Sequence, residues 1–300
     1  MRFSCIIPSL ARKSLYELTI PSLFSQTRKF DEVIVMFDLP RSDDLKESLH
    51  GVITSFTGGN MGAAATLFQA YAHSTGDYVV LLDDDDVLHT DFLRRMNDFI
   101  KVSVDEPALV IPRVRKVWPE GFMPSYWVSA PMSGGGNDIC NNSYRPITCS
   151  GLTVSKKQIE KLPLNPVIKG FSDIQIYENV MKMSLPIAYN ELSVVKFNQF
   201  FSMIRNTSDL SNRKKNIEMA KLNGMSFSDA QLKVILISAI ISNARSEAYR
   251  TGLRASLQEL WKNFRTEKVH LSEVGYQKLF INFCFILWIG LSRKILSKNE

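Results

Sequence analysis

Four consecutive aspartates, Asp83 to Asp86, follow directly after the apolar run Tyr78 to Leu82. Adjacent carboxylates repel one another by roughly 1 kcal/mol per pair in water, and by more where water is scarce, so a nearby group should compensate their charge. In an extended or turning backbone alternate side chains point the same way, so Asp83 and Asp85 can share a ligand while Asp84 faces elsewhere. Oxygen ligands of this kind suit Mg²⁺ or Mn²⁺, which bind carboxylates together with phosphate oxygens. A solvated acidic loop is the alternative interpretation.

The elements before this run place it at one edge of a sheet. Strands are predicted over 3–7, 32–37, 52–56 and 78–82, and helices over 14–25, 63–73 and 92–102. Short strands that alternate with helices imply a doubly wound, mostly parallel sheet flanked by helices. Ligands bind such sheets outside the carboxyl ends of the strands. Asp38, which closes the second strand, and the aspartate run, which closes the fourth, should therefore share that edge.

The second half of the chain follows a different pattern. Strands are predicted over 109–117, 147–155, 187–190 and 192–197, a helix over 174–183, and further helices beyond residue 206. The segment 118–145, rich in Pro, Gly and aromatic residues, is a poor core and a plausible binding surface. We expect a catalytic domain over 1–209, with a nucleotide-binding half at 1–105 and an acceptor-binding half at 106–209, followed by a helical C-terminal extension over 210–300.

Composition narrows the class of protein. The 300 residues are 45% hydrophobic, which is enough for a large core and excludes a disordered chain. The four cysteines show neither the spacing of a zinc site nor the density of a disulfide scaffold, so a reducing compartment, the cytoplasm, is expected. The N-terminal segment does not have the pattern of a secretory signal and is better interpreted as a first strand.

Positive charge is concentrated in the C-terminal third. Residues 211–300 hold 15 Lys and Arg against seven Asp and Glu, whereas residues 1–210 hold 21 against 23. The segment Leu279 to Leu291 is apolar except for two residues and has basic flanks. It is shorter than the roughly 20 residues that a membrane span needs, but it could lie in the surface of the cytoplasmic membrane or pack on protein. The basic C-terminal third concentrates its aromatic residues in this apolar block and does not alternate them with basic residues, which argues against nucleic-acid binding.

Several motifs together resemble family 2 glycosyltransferases with the GT-A (nucleotide-diphospho-sugar transferase) fold. Gly59-Asn60-Met61-Gly62, a helix, Gly76-Asp77-Tyr78 and Leu82 to Asp86 follow the family's order of N-x-G, helix, G-E-Y and L-D-x-D-D. Ser4 to Pro8 with Arg12 resembles its first strand, and Glu32 to Asp38 resembles its second. Gly170 to Asp173 resembles its F-x-E-D element. The resemblance covers roughly residues 3–205.

The resemblance implies a role for each motif. The family's general base corresponds to Asp173, for which an ordinary helix N-cap is the alternative. The metal ligands would be Asp83, Asp85 and Asp86, with Mn²⁺ or Mg²⁺ as the ion. Donor-nucleotide contacts would come from Pro8, Ser9, Arg12, Asp38, Asn60, Gly62, Asp83, Asp84 and Arg205.

Two further regions could contact the substrates. Arg205 stands near the position where many members have a metal-binding histidine, and an arginine can contact phosphate but not the cation. Trp118, Tyr126 and Trp127 could stack on the acceptor sugar or belong to the core. A glycine run beside them, Gly134 to Gly136, could act as a hinge.

The function expected from these motifs is that of an inverting, metal-dependent glycosyltransferase. It would move a hexose from a UDP-sugar to a hydroxyl of a growing glycan, linked to polyprenyl diphosphate, in surface polysaccharide (O-antigen or capsule) biosynthesis. Two alternatives remain open. One is a sugar-phosphate nucleotidyltransferase, although residues 8–13 lack the usual glycine-rich loop. The other is a non-catalytic nucleotide- or anion-binding protein. The sequence does not specify an oligomeric state.

Overall fold

The structure, a computed structural model, describes residues 1–59, 61–117, 126–127, 148–168, 172–198, 210–224 and 253–266, together with residues 232, 236, 240 and 244. A nine-stranded sheet organises the N-terminal two thirds of the chain. Its strands are β1 (Phe3–Ser9), β2 (Glu32–Phe37), β3 (Ile53–Phe56), β4 (Tyr78–Leu81), β5 (Val87–Leu88), β6 (Leu109–Val117), β7 (Tyr126–Trp127), β8 (Thr153–Ser155) and β9 (Ile187–Asn198).

Seven α-helices lie within the described residues. They are α1 (Ile20–Phe24), which follows the π-helical turn Leu15–Thr19, α2 (Asp43–Glu47), α3 (Ala63–His73), α4 (Phe92–Val102), α5 (Ser172–Lys182), α6 (Leu210–Leu222) and α7 (Leu253–Thr266). Helix α4 shows how sequence determines placement, because Phe92, Leu93, Met96 and Ile100 recur at helical spacing and are all buried.

The sheet order is β3-β2-β1-β4-β8-β6-β9-β5, with β7 paired to β6. Strands β3, β2, β1 and β4 run parallel to one another, as the alternating pattern predicts. Beyond β4 the sheet is mixed, because β8 runs antiparallel to both β4 and β6 while β6 and β9 are parallel. Apolar side chains of β1, β2 and β4 pack with α4 in one buried core.

Two strand predictions need correction. The strand expected over 147–155 forms only at Thr153–Ser155, and Cys149 to Gly151 make a turn instead. Gly151 has a φ of 82°, a left-handed conformation that a strand does not use. The two closing strands expected over 187–190 and 192–197 are one strand, β9.

Strand β9 explains why its sequence looked like two segments. Its register against β6 moves from Asn190 opposite Pro112 to Val194 opposite Arg113, so a bulge occupies the residues between Asn190 and Val194. The buried Asn190 amide donates to Ser193 Oγ at 2.9 Å and accepts from the Leu192 amide at 3.0 Å, which holds the bulge.

The chain divides into two compact units. The first contains the sheet and helices α1 to α5, and the second contains α6 and α7. In the second unit Ile217 and Ala220 of α6 are buried, as are Leu260 and Phe264 of α7. Helix therefore appears where the C-terminal extension was expected. The domain limits at 105/106 and 209/210 stay predictions.

The apolar segment 279–291 lies outside the described residues. Among the helices that the structure does describe, none combines the length and the apolar character needed to cross a bilayer.

Candidate active site at the carboxyl edge of the sheet

Three neighbouring parallel strands end together at this edge. Ser9 at the end of β1 pairs with Phe37 at the end of β2, and the Asp38 amide donates to the Ser9 carbonyl at 2.8 Å. On the other side of β1, the Leu82 amide donates to the Ile6 carbonyl at 3.0 Å. Asp38 and the aspartate run therefore leave the sheet at the same edge, as the sequence predicts.

Asp38 organises the glycine loop between β3 and α3. Its carboxylate accepts hydrogen bonds from Thr57 Oγ1 at 2.7 Å, from the Met61 amide at 2.8 Å and from the Gly62 amide at 2.7 Å. Gly62 directly precedes α3 and has a φ of 90°, which explains the glycine by turn geometry. Asp38 is itself 92% buried, so these donors stabilise a charge that has little contact with water.

Asp84 turns away from its neighbours and toward the end of β1. Its carboxylate accepts from Ser9 Oγ at 2.7 Å, from the Leu10 amide at 3.4 Å and from Arg12 Nη1 at 2.7 Å. The turn that brings Arg12 to Asp84 contains Ala11 with a φ of 58°, a backbone conformation that is uncommon for residues other than glycine. Asp84 therefore links the aspartate run to β1, and its contact with the donor nucleotide stays a prediction.

The other three aspartates converge. Asp83, Asp85 and Asp86 each offer one carboxylate oxygen, and these three atoms all lie within 4.8 Å of one another. Ligands at about 2.1 Å from an octahedral cation are at most about 4.2 Å apart, so a small inward movement would complete a Mg²⁺ or Mn²⁺ site. The donor set, three carboxylates, has the chemistry that these ions prefer. The expected separation of Asp84 from Asp83 and Asp85 agrees with this geometry.

Ser150 supports this group from the turn before β8. Its Oγ donates to Asp86 Oδ2 at 2.5 Å and accepts from the Asp83 amide at 3.1 Å. The backbone carbonyl of Asp86 also accepts from Thr19 Oγ1 at 2.9 Å. Neither Ser150 nor Thr19 was predicted, because hydroxyl residues are common and their sequence separation from the aspartates hides the contact. The triplet Cys149-Ser150-Gly151, which interrupts a predicted strand, was the available signal.

Asp173 lies in the first turn of α5, where its Oδ1 accepts from the Ile174 amide at 2.9 Å. Burial raises the pKa of the Cys149 thiol well above its usual range, and the charges of Asp83, Asp173 and Asp86 raise it further. Asp173 is therefore within electrostatic reach of the same thiol as the aspartate run. A thiol with so high a pKa stays protonated at neutral pH and is a poor nucleophile.

Several predicted site residues lie outside the described residues. These are Asn60, Trp118, Arg205 and the glycine run Gly134 to Gly136. For Tyr126 and Trp127 the structure gives the backbone of β7, which pairs antiparallel with Lys116 and Arg115 of β6. Pro8 lies in β1 opposite Met36 of β2. Their roles at the site stay predictions.

A comparison with protein families identifies the class of enzyme. Residues 4–144 match the family described as glycosyl transferase family 2, a range that includes β1, Asp38 and the whole aspartate run. This match covers slightly less than half of the chain and supports a glycosyltransferase with the GT-A fold that is similar to family 2, as the motifs led us to expect.

Solved structures support the same fold. The crystal structure of S. aureus TarS residues 1–349 in complex with UDP aligns with a TM-score of 0.52 at 13% identity, covering 100% of this chain and 92% of that one. The same fragment in complex with UDP-GlcNAc aligns with a TM-score of 0.52 at 13% identity, covering 100% and 93%. A search of curated protein sequences gives no significant match.

Proposed function

We propose that this protein is an inverting, divalent-metal-dependent hexosyltransferase that uses a UDP-sugar and transfers its hexose to a hydroxyl of a growing glycan. The observation that carries the proposal is the convergence of the Asp83, Asp85 and Asp86 carboxylates at the sheet edge that Asp38 also occupies, where parallel sheets bind ligands. The match of residues 4–144 to glycosyl transferase family 2 favours sugar transfer over nucleotidyl transfer and over simple anion binding.

The three converging carboxylates would hold Mn²⁺ or Mg²⁺. When bound, such a cation neutralises charge that grows on a departing nucleoside diphosphate. The protein's part is to keep the carboxylates close together despite their mutual repulsion, and the hydrogen bonds to Asp86 do this from the protein side.

The donor nucleotide would lie along the ends of β1 and β2. Asp38 fixes the loop that ends at Gly62, and we propose that Pro8, Ser9, Asn60, Gly62 and Asp83 contact the donor. Asp84 holds the Arg12 guanidinium at 2.7 Å, so we assign Asp84 an indirect role through Arg12. Arg205 would add a further phosphate contact.

Asp173 would act as general base. Direct displacement at the anomeric carbon forms a bond to the acceptor oxygen as the bond to the diphosphate breaks, and the acceptor hydroxyl must lose its proton. A carboxylate in the first turn of α5, whose charge raises the pKa of the same Cys149 thiol as Asp83 and Asp86 do, is suitable for accepting that proton. One displacement inverts the anomeric configuration.

The choice of UDP has support from the TarS structures, which share the fold and were solved with UDP and UDP-GlcNAc. We propose a lipid-linked acceptor, with Trp118, Tyr126 and Trp127 on the acceptor side, and a role in surface polysaccharide assembly. The excess of basic residues after position 210 supports a location at the inner face of the cytoplasmic membrane. Flotation of the full chain with anionic and with neutral vesicles tests this, and equal recovery from both would refute it.

Thermal unfolding with nucleotide sugars tests the donor site. We expect UDP-sugars, in a panel that includes UDP-GlcNAc and a GDP-sugar, to raise the midpoint of unfolding only when Mn²⁺ or Mg²⁺ is present. Stabilisation by UDP that is unchanged by EDTA would refute the metal assignment.

The base is tested separately. Asp173→Asn keeps the shape of the side chain but cannot accept a proton, so donor binding should persist while transfer is lost. Transfer at the wild-type rate would remove Asp173 from this role.

A further inference from the structure

Ser150 is completely buried and touches the aspartate run at two points. Its hydroxyl has one proton, and the Asp83 amide, a donor, must take a lone pair of that hydroxyl. The proton is therefore directed at Asp86 Oδ2, 2.5 Å away. The same side chain thus fixes the backbone of Asp83 and the carboxylate of Asp86.

The backbone around Ser150 gives its hydroxyl a defined position. The Gly151 amide donates to the Leu81 carbonyl at 2.6 Å, and the Leu81 amide donates to the Leu152 carbonyl at 2.9 Å. These bonds tie the turn directly to the strand that precedes the aspartates. A Cβ atom at Gly151 would lie 2.3 Å from Val195 Cγ2 and 2.8 Å from Pro112 Cγ, so the turn is closely packed on its other side.

The effect of Ser150 differs from that of the Arg12 and Ser9 donors. Ser9 and Arg12 donate to Asp84, whose carboxylate is not one of the three that converge, and Arg12 Nη1 also lies 4.0 Å from Asp85 Oδ2. Ser150 acts on Asp86, which does converge and which is repelled by the charges of Asp83 and Asp85. Loss of its hydroxyl would leave that repulsion less opposed.

We infer that Ser150 is a positioning residue for the divalent cation and, through it, for the sugar donor. Its hydroxyl holds the Asp86 carboxylate toward Asp83 and Asp85 before a cation arrives, which preorganises the site. The inference rests on the proposed function, because it requires that these carboxylates bind a divalent cation. Groups that orient metal ligands typically contribute about 10-fold to 100-fold in metal affinity.

The test is Mn²⁺ binding to the full chain without any donor, measured by calorimetry or by electron paramagnetic resonance. Ser150→Ala should raise the Kd for Mn²⁺ by about 10-fold to 100-fold. Thr153→Val is the matched control: Thr153 is also completely buried and donates to the Gly151 carbonyl at 3.1 Å, but within the described part of the chain its side chain makes no hydrogen bond to an aspartate. It should lose comparable stability and keep wild-type Mn²⁺ affinity.

A double-mutant cycle separates positioning from general damage. If Ser150 acts through Asp86, Ser150→Ala should change Mn²⁺ affinity little in an Asp86→Asn background. Equal effects in both backgrounds would overturn the inference. If Ser150→Ala does not fold, Ser150→Cys replaces it, because the thiol is a weaker hydrogen-bond donor. A Mn²⁺ affinity below that of wild type then supports the inference, and wild-type affinity overturns it.

The result also distinguishes this inference from the proposed function. Wild-type protein that does not bind Mn²⁺ would overturn both. Wild-type protein that binds Mn²⁺ no better than Ser150→Ala does would overturn the role of Ser150 alone.

Discussion

Asp38 and the Asp83, Asp85 and Asp86 group both follow parallel strands at one edge of the sheet, yet their surroundings differ. Asp38 receives a hydroxyl and two backbone amides, all at 2.8 Å or less. The three other carboxylates instead bring oxygen atoms within 4.8 Å of one another. Hydrogen-bond donors of the protein stabilise the charge of Asp38. Asp83, Asp85 and Asp86 are a set of like charges that a cation would stabilise. Location at a strand end is therefore insufficient to assign a carboxylate to structure or to chemistry.

The largest expected effect that tests this comparison is on catalysis. Asp85→Ala should lower the rate of transfer by about 1,000-fold, or roughly 4 kcal/mol, because one ligand for the cation is lost. The free energy of unfolding without metal should stay within about 1 kcal/mol of wild type, because removing one charge also relieves repulsion. Chemical denaturation and a donor-hydrolysis or transfer assay measure the two quantities. A large loss of stability would show that Asp85 has a structural role, and Asp85 would then not differ from Asp38.

For Asp38 a large effect on stability is expected, unlike for Asp85. Asp38→Ala should lower the free energy of unfolding by about 2 to 3 kcal/mol, because two buried amides and a hydroxyl lose a charged acceptor. Urea denaturation measures it, and Asp38→Asn, which keeps one carbonyl oxygen, should lose less. Wild-type stability of Asp38→Ala would show that the glycine loop does not depend on this carboxylate.

A smaller effect should come from the ion pair that links the run to β1. Arg12→Met should lower the free energy of unfolding by about 1 kcal/mol, because the Arg12 side chain is partly exposed while Asp84 is buried. Measuring the same variant at high salt sharpens the result, since the ion pair should contribute less there. Lys13→Met, which removes an exposed lysine paired with Glu17, should have a smaller effect.

A comparable effect on stability, with none on transfer, is expected at the amino end of β4, away from the aspartates. Tyr78 donates to the Pro107 carbonyl at 3.0 Å, and burial, with the nearby Glu106 charge, raises the pKa of Tyr78 to about 12. Tyr78→Phe should lower the free energy of unfolding by about 1 kcal/mol at pH 7 and leave the rate of transfer unchanged.

The pH dependence of Tyr78 gives a second reading of the same variant. Because the folded pKa lies above the unfolded value near 10, the phenol stabilises the fold fully below pH 10 and loses that contribution as pH rises to about 12. Wild type should therefore lose stability faster than Tyr78→Phe between pH 10 and 12. Parallel curves would contradict the assignment.

The elements that sequence predicted best are those whose pattern is local. Strand β2 is an apolar run after Glu32 that includes three β-branched residues, and α3 and α4 have regular apolar spacing, so their limits agree with the prediction. The predicted strand limits were wrong where the conformation of one residue overrode the local hydrophobic pattern. Gly151 turns the apolar stretch before β8, and the bulge held by Asn190 hides the continuity of β9. The short β5 and α2 were missed because neither is long enough to show a period.

The features of the candidate site also divide into those that a local sequence pattern predicts and those that depend on long-range contacts. Alternation along the chain was enough to separate Asp84 from Asp83 and Asp85, and the order of strands was enough to place Asp38 at the same edge. Contacts made by Ser150 and Thr19 could not be predicted, because they join residues 64 to 67 positions apart and depend on how the turn and the strands pack.

The close packing at Gly151 restricts how this enzyme could be redesigned. A library that varies the turn Cys149 to Gly151 would lose the fold at position 151 before it changed specificity, since even a methyl group would collide with Val195 and Pro112. Random replacement there should return glycine alone among the functional clones. Position 151 is therefore a fixed boundary for grafting segments from other glycosyltransferases.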